Sequence, residues 1–412
     1  MVPLAAALRP RLARLRTSTG LLGPAFIAAI AYVDPGNVAS NSAAGARYGY
    51  LLVWVVVAAT AMAGLVQYLS AKLGLVTGSS LPELMRERLS TPWRLGYWAQ
   101  AELVSMATDL AEVLGGAIGL NLLFGVPLPV GGVITGAVST VVLVVRDRAG
   151  QRSFERVIIT MLLIIAIGFV AGLFFAPPSG SQTLAGLLPR FAGTGSVLIA
   201  TSMLGATVMP HAIYLHSALA RDRHGKRTGP ELTRLLSSTR YDVGTAMVLA
   251  GGVNLAMVLV AASALHGEPG ADSIAGVHHA ITLALGTGIG VLFAVGLLVS
   301  GLASTSVGCY AGSVVMGGLL RWRIPALVRR VITLVPAIAL LAGGVNPTGA
   351  LIFSQVVLSF GIPFAVIPLV RLTKSREVMG VRVNHPVTTA VASVVTAGMV
   401  TLNAALILLI IT

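Results

Sequence analysis

The stretch AYVDPGNVASN, residues 31–41, interrupts a long apolar segment near the start of the chain. Proline removes a backbone hydrogen-bond donor and clashes with the carbonyl one turn back, while glycine permits backbone angles that other residues resist. The sequence Asp34-Pro35-Gly36-Asn37 therefore predicts two half-helices joined by an unwound link. Unwound backbone at membrane depth survives only when it is buried in protein or lines a cavity, and a carboxylate at that depth indicates function.

The composition of the whole chain is that of an integral membrane protein. Of its 412 residues, 56% are hydrophobic and only 10% are charged, which is more apolar surface than a soluble domain can bury. Glycine and alanine are abundant and strand-like alternation is absent, so the spans are predicted to be helices. The single cysteine, Cys309, excludes an intrachain disulfide and a cysteine-cluster metal site.

Hydropathy predicts about eleven transmembrane helices in one membrane transport domain that comprises residues 1–412. With these helices placed, every Lys and Arg except Arg47 and Arg190 falls at the N-terminus or in alternate loops. The positive-inside rule then puts the N-terminus in the cytoplasm and the C-terminus outside. The net charge of +14 follows from this topology, so no nucleic-acid partner is expected. The predicted spans are about 20–46, 50–72, 96–124, 128–146, 157–176, 194–220, 242–264, 282–308, 326–344, 349–370 and 387–411.

A second interruption lies in the sixth span, at Pro210 within GATVMPHAIYLH. The first and sixth spans each open a set of five, and because five is odd the two broken helices run in opposite directions. Paired breaks in inverted repeats are typical of secondary transporters that bind substrate at the bilayer midplane. The repeats are expected at about 20–176 and 194–370, with an extra helix at about 387–411. A simple proline kink is the alternative for Pro210.

The groups at the two breaks favour a cation as the ligand. The Asp34 carboxylate, the Asn37 amide oxygen and backbone carbonyls freed by the break would form a hard-oxygen site. Met209, one residue before Pro210, would add a thioether, and sulfur favours transition metals over Ca²⁺ and Mg²⁺. The chemistry therefore points to Mn²⁺ or Fe²⁺, with ordinary apolar packing as the alternative role of Met209.

The third span carries three acids on one stripe. Glu102 and Asp109 differ by about 20° around a helix, and Asp109 and Glu112 by about 60°. Acids within a membrane helix face protein or water and often relay protons, and the expected partners are Arg329 and Arg330 at the start of the ninth span. The alternatives are a structural salt-bridge network for the acids and interfacial anchoring for the arginines.

Two histidines follow the second break. His211 and His216 lie about 140° apart around a helix, so they are not expected to bind one ion together. Both His211 and His216 are predicted to belong to the proton pathway, and His211 would titrate near neutral pH and modulate the site. The alternative for His211 is a hydrogen bond at the helix break, and for His216 a structural role.

These motifs resemble those of the Nramp family of divalent-metal transporters. The family's DPGN motif is Asp34–Asn37 and its MPH motif is Met209–His211, and the stretches Leu73–Glu87, Thr108–Leu128 and Ser354–Ala365 also read like family segments. The resemblance covers almost the whole chain. It implies the LeuT-type inverted-repeat fold of sodium-coupled amino-acid transporters, and proton-coupled uptake of Mn²⁺ and Fe²⁺ through the cell membrane, with Co²⁺ and Cd²⁺ as further candidate substrates.

The resemblance also implies a set of site residues. In that family the metal is held by the aspartate and asparagine of DPGN, the methionine of MPH and a carbonyl three residues before it, which are here Asp34, Asn37, Met209 and Ala206. A glutamine of the tenth helix joins them in an occluded state, and Gln355 matches it. The resemblance further implies a proton path from Asp34 through the acids of the third span towards the cytoplasm.

Three other functions fit parts of the sequence. A sodium-coupled organic-solute symporter would share the fold, but Asp34 with Met209 suits a divalent metal better. A membrane enzyme would need a motif such as HExxH or GxSxG, and the sequence has neither. A passive channel is disfavoured by two discontinuous helices in inverted halves. The expected partners are metal ions, protons and the lipid bilayer, without a resident cofactor or an obligatory protein partner.

Overall fold

The computed structural model describes residues 23–271, 273–322 and 324–411. All regular structure in these ranges is helical, which confirms the predicted all-α membrane fold. Short 3₁₀ turns occupy Ala31–Val33, Gly49–Leu52, Ala171–Phe174 and Gly380–Arg382. The α-helices are α1 (Pro24–Ile30), α2 (Pro35–Tyr48), α3 (Val53–Thr77), α4 (Leu81–Arg88), α5 (Thr91–Phe124), α6 (Leu128–Ala149), α7 (Gln151–Val170), α8 (Gly180–Ala185), α9 (Gly193–Thr207), α10 (Pro210–His224), α11 (Gly229–Ala264), α12 (Ile274–Leu285), α13 (Thr287–Leu320), α14 (Ala326–Ala342), α15 (Pro347–Thr373), α16 (Arg376–Met379) and α17 (Pro386–Ile411).

The chain crosses the membrane several times. Among the described residues, 8 helical runs are long and apolar enough to span a bilayer. Three shorter apolar helices accompany them, at Pro24–Val33, Leu128–Val144 and Ile274–Leu285. The number of eleven spans therefore stays a prediction, as does the division into two repeats.

The predicted start of the eighth span is wrong. The eighth span, expected at 282–308, begins instead at Thr287 and continues to Leu320. Residues 282–285 belong to α12, which ends where Gly286 adopts a φ of 93° that favours glycine. The apolar sequence continues across this turn, so hydropathy alone does not reveal the boundary.

Some of the basic residues on which the predicted topology depends lie outside the described part of the chain. Arg9, Arg11, Arg14 and Arg16 lie outside the described residues, and so do Arg323 and the side chain of Arg146. The cytoplasmic position of the N-terminus accordingly remains a prediction.

The first helix is broken where the sequence predicts. After α1 and its 3₁₀ turn, Asp34 adopts an extended conformation (φ −71°, ψ 169°), and Pro35 opens α2. Proline is well suited to this first helical position, where its missing N–H would have no intrahelical partner. Gly115 lets α5 approach the break closely, because a Cβ there would lie 2.0 Å from Pro35 Cβ.

The second break is also a true interruption. Helix α9 ends at Thr207, and Val208 and Met209 are non-helical, with Met209 at φ −81° and ψ 124°. Pro210 then begins a new helix, α10, rather than bending a continuous one. The simple-kink alternative for Pro210 is therefore wrong.

The half-helices next to the breaks lie in the centre of the protein. Residues 35–46 of α2 and 210–220 of α10 are all buried. Helix α2 packs mainly on α11, α10 on α3, and α9 on α15, while α5 lies along the length of α13. The long continuous helices thus surround both unwound links and shield them from lipid, as unwound backbone at this depth requires.

Candidate metal site

Oxygen atoms from both broken helices meet at the side chain of Asn37. Its amide Nδ2 donates to Asp34 Oδ1 at 2.8 Å and to the backbone carbonyl of Ala206 at 2.9 Å. The Asn37 backbone N–H also donates to Asp34 Oδ1, at 2.7 Å, so Asp34 caps α2. Asp34, Asn37 and Ala206 are all 0% exposed. A carboxylate oxygen and a carbonyl oxygen from distant parts of the chain therefore converge on one point.

Gln355 of α15 closes this group from another side. Its Nε2 lies 3.3 Å from Asp34 Oδ2, and its Oε1 is buried without a hydrogen-bond partner in the described part of the chain. Two glycines let the broken helices approach it, because a Cβ at Gly36 would lie 1.8 Å from Gln355 Nε2 and one at Gly205 2.1 Å from its backbone oxygen. An unpartnered buried amide oxygen beside a carboxylate suits a cation, which would provide the missing positive partner.

Met209 supplies the one sulfur atom among the predicted ligands. It lies in the unwound link of the second break, three residues after Ala206, and it is 0% exposed. The described residues contain no cluster of three or more His, Cys, Asp or Glu that would hold a metal. Any metal here would therefore be bound by a mixed set of one carboxylate, amide and backbone oxygens, and a thioether.

Two backbone carbonyls at the first break already accept hydrogen bonds from side chains of other helices. The Tyr32 carbonyl accepts a hydrogen bond from Asn254 Nδ2 at 2.6 Å, and the Val33 carbonyl accepts one from Ser300 Oγ at 2.6 Å. Buried backbone groups without intrahelical partners are usually satisfied by such side chains. Helices α11 and α13 thus stabilise the break, and Ala206 remains the predicted carbonyl ligand.

The predicted acid–arginine pairs are present beyond the site. Arg329 Nη2 lies 2.8 Å from Glu102 Oε1, and Arg330 forms an ion pair with Asp109. Both members of the Arg330–Asp109 pair are almost completely buried, at 2% and 4% side-chain exposure. The two ion pairs join α5 to α14.

Glu112 lies between these pairs and the metal site along α5. It is 0% exposed, and within the described ranges neither carboxylate oxygen has a hydrogen-bond partner. Its carboxylate packs against α13, where a Cβ on Gly308 would lie 2.7 Å from Glu112 Oε2. A buried acid without a fixed partner is a candidate to take up and release a proton.

The two histidines face different helices, which confirms that they do not form one site. His211 Nδ1 lies 3.5 Å from Thr108 Oγ1 of α5, whereas His216 Nδ1 lies 2.6 Å from Gln67 Oε1 of α3. The Nε2 atom of each is buried without a hydrogen-bond partner. His211 therefore borders the acidic stripe of α5, and His216 is part of a polar contact on the opposite side.

Several polar contacts at the site have no signal in the sequence. Thr207 Oγ1 lies 3.3 Å from Asn37 Oδ1, and Ser40 and Ser202 lie 2.7 Å apart between α2 and α9. Thr305 donates to Asp109 Oδ1 at 2.5 Å. Isolated serines and threonines are common in apolar helices, so only the fold identifies these as supporting residues.

The first half-helix, α1, is held at its start by Asp242 of α11. The two carboxylate oxygens accept hydrogen bonds from the backbone N–H groups of Gly23 and Ala25, each at 3.0 Å. An ion pair between Glu155 and Arg223 lies beside the same point. Acceptors at a helix start satisfy N–H groups that have no intrahelical partner and complement the helix dipole.

A further contact ties α4 to α10 outside the membrane-spanning segments. Glu83 forms an ion pair with Arg221 and accepts a hydrogen bond from the Ser80 N–H at 2.7 Å. Burial tends to raise the pKa of Glu83, but the Ser80 N–H and the Arg221 guanidinium outweigh it and lower the pKa below its ordinary value. The carboxylate is therefore ionised near neutral pH and links the two helices.

Fold and site together define a multi-pass membrane transporter in which two discontinuous helices meet at a buried carboxylate. The chain belongs to the Nramp family, since the model for natural resistance-associated macrophage protein-like proteins matches residues 25–409.

Curated relatives resemble almost the whole chain. It is 62% identical over 399 residues to the divalent metal cation transporter MntH of Mycobacterium tuberculosis, which covers 97% of this chain and 93% of the relative. It is 46% identical over 400 residues to the MntH of Bacillus subtilis, with 96% and 94% covered. These relatives are named as transporters and not as enzymes.

Solved structures agree with this assignment. The manganese transporter of Eremococcus coleocola superposes with a TM-score of 0.85 at 29% identity, over 94% of this chain and 86% of that one. Mhp1, a nucleobase-cation-symport-1 family transporter, superposes with a TM-score of 0.63 at 17% identity, over 94% and 91%. The second likeness concerns the fold alone, and it places the chain among LeuT-like folds.

Proposed function

We propose that this protein carries divalent transition-metal ions, Mn²⁺ and Fe²⁺, into the cytoplasm together with protons. The observation that carries the proposal is the convergence of Asp34 Oδ1 and the Ala206 carbonyl, which lie 2.8 and 2.9 Å from the same nitrogen of Asn37. Two oxygens from two discontinuous helices suit a cation whose binding depends on how those helices are arranged. The relatives named as divalent metal cation transporters support the same substrate class.

The proposed ligands are the Asp34 carboxylate, the Asn37 amide oxygen, the Ala206 carbonyl, the Met209 sulfur and the Gln355 amide oxygen. The Asn37 amide, whose Nδ2 faces Asp34 and Ala206, would turn to present its oxygen to the metal. The oxygens compensate for the water that the metal loses on entry. The thioether favours a transition metal over Ca²⁺ and Mg²⁺, which bind oxygen ligands almost exclusively. The unpartnered Gln355 Oε1 supports its place in this set.

Transport would proceed by alternating access in the cell membrane, with the N-terminus in the cytoplasm and the C-terminus outside. The two broken helices belong to inverted repeats at about 20–176 and 194–370, with 387–411 as an extra helix. The metal enters from outside, and it leaves when α1 swings away from the site on the cytoplasmic side. The bonds from Asp242 to the start of α1 would then have to break.

Protons would follow a separate route along α5. Asp34 accepts the proton first, Glu112 takes it further, and the pairs Asp109–Arg330 and Glu102–Arg329 continue the route towards the cytoplasm. What supports this order is the position of the unpartnered Glu112 on the same stripe of α5 as the two paired acids. His211 borders that stripe through Thr108 and would modulate it.

The test is Mn²⁺ uptake into proteoliposomes that contain a metal-sensitive dye and a pH-sensitive dye. We expect uptake that resists excess external Ca²⁺ and is accompanied by acidification of the lumen. Asp34→Asn should abolish both signals, whereas the matched control Asp222→Asn, an exposed acid at the end of α10, should keep them. Absence of Mn²⁺ entry under any gradient would contradict the proposal and favour an organic-solute symporter, which amino-acid competition would then identify.

A further inference from the structure

A polar cavity lies apart from the metal site, on the face predicted to be cytoplasmic. Its volume is about 480 Å³, and it lies among the end of α3, the first half of α11 and the segment that joins α15 to α17. Each of these three elements contributes one cation, namely Lys72, Arg240 and Arg382. None of the lining residues that the structure describes is acidic.

The innermost part of this basic cavity is built from Lys72 and Asn384. Lys72 is 8% exposed and Asn384 6%. The lysine Nζ donates to Asn384 Oδ1 at 2.7 Å, so the amide oxygen is used and the amide nitrogen is left for another acceptor. That nitrogen, Nδ2, is buried and has no hydrogen-bond partner among the residues that the structure describes. A buried ammonium beside an unpartnered N–H donor is costly unless an anion accepts from both.

The two arginines are oriented by neutral groups. Arg240 Nε donates to Tyr68 Oη at 3.2 Å, and its guanidinium carbon lies 5.2 Å from the centroid of that ring. Arg382 Nη2 donates to Thr233 Oγ1 at 2.5 Å. In the part of the chain that the structure describes, neither arginine forms an ion pair with an acid. Each guanidinium therefore keeps N–H donors and a full positive charge for a ligand.

The positive-inside rule explains why cations lie on this face, but not why they surround a cavity. The rule requires only that basic side chains lie on this side, and exposed ones such as Arg234 on the same helix α11 already meet it. A cavity lined by three cations therefore needs another explanation.

We propose that the basic cavity binds a phosphate-bearing anion. Phosphate offers several strong acceptor oxygens and negative charge, which match three cations and the Asn384 amide donor. The ligand would be either the headgroup of an anionic lipid or a free phosphate compound, because both present this group.

The test compares the wild-type protein with Arg240→Gln/Arg382→Gln. The matched control is Arg234→Gln/Arg376→Gln, which removes two exposed cations from the same face and leaves the cavity intact. In the lipid arm, each protein is extracted from vesicles of phosphatidylcholine and phosphatidylglycerol, and the retained phosphatidylglycerol is counted by native mass spectrometry. In the free-phosphate arm, inorganic pyrophosphate is titrated by calorimetry into protein in pure phosphatidylcholine nanodiscs.

We expect the cavity variant to bind in one arm at least about tenfold more weakly than the wild type, because two charge-assisted contacts are lost. The control should bind as the wild type does. Loss in the lipid arm identifies a headgroup site, and loss in the pyrophosphate arm identifies a site for free phosphate. Equal binding by all three proteins, or no binding in either arm, would overturn the proposal. Circular dichroism and gel filtration establish folding, and Arg382→Gln alone, at a partly exposed position, replaces the double variant if that fails to fold.

Discussion

Replacing Arg330 by methionine should strongly destabilise the protein. The guanidinium pairs with Asp109 and donates to Ser139 Oγ at 2.8 Å, and the side chains of the ion pair are only 2% and 4% exposed. Without the arginine, Asp109 keeps the 2.5 Å hydrogen bond from Thr305, while its Oδ2 already has no partner. Removing one member of a buried ion pair typically costs about 3–5 kcal/mol, because the remaining charge is left uncompensated.

This cost corresponds to a decrease of roughly two to four orders of magnitude in the folding equilibrium constant. The free energy of unfolding can be measured by reversible unfolding in sodium dodecyl sulfate, for Arg330→Met, Asp109→Asn and the double variant. We expect the double variant to recover most of the loss, since it leaves no unpaired charge behind. Arg234→Met is the matched control, because Arg234 is exposed on α11.

The result that would refute this reasoning is additivity. If the two single variants lower the free energy of unfolding independently, and the double variant shows their sum, the ion pair is not the coupled unit that the contacts describe. A loss below about 1 kcal/mol in Arg330→Met would lead to the same conclusion, because that is the range of solvent-exposed pairs.

Three further perturbations address the broken helices. Met209→Ala should keep Mn²⁺ uptake and admit Ca²⁺ or Mg²⁺, and unchanged selectivity in a competition assay would remove the argument from sulfur. Gly36→Ala would put a Cβ 1.8 Å from Gln355 Nε2 and should lower Mn²⁺ uptake at least about tenfold through overpacking, whereas Gly96→Ala, with no atom within 4 Å, should have no effect. Asp242→Asn replaces one of two acceptors at the start of α1, at a cost of about 1–2 kcal/mol, and should speed amide hydrogen exchange in α1 by roughly 5- to 30-fold. Exchange as slow as in the wild type would show that these bonds do not hold α1.

The breaks in the helices were predictable because their causes are local. A proline or glycine changes the backbone only within about one helical turn. The first break lies at Pro35 and Gly36, and the second lies at Pro210, directly after two non-helical residues. The stripe of Glu102, Asp109 and Glu112 follows from helical geometry alone, so acids were expected on one side of α5.

The partners that complete the site could not be read from the sequence. Asn254 and Ser300 satisfy the carbonyls of Tyr32 and Val33, and each lies more than two hundred residues further along the chain. Nothing distinguishes them from other polar residues in apolar helices until the helices are packed. The boundary between α12 and α13 is missed for a different reason, since hydropathy alone passes over the short Gly286-Thr287-Gly288 turn between two apolar segments.

Helix α11 holds the segment from α1 to the first break at two points. Asp242 accepts from the N–H groups at the start of α1, and Asn254 donates to the Tyr32 carbonyl in the 3₁₀ turn that follows α1, about 18 Å further along α11 at the usual helical rise. The swing of α1 in the proposed cycle must release the first contact and can retain the second. Helix α11 would then provide both the contact that breaks, at Asp242, and the fixed point about which the segment turns, at Asn254. In that proposed cycle the moving segment would be short, because α1 spans 7 residues and the 3₁₀ turn after it spans 3.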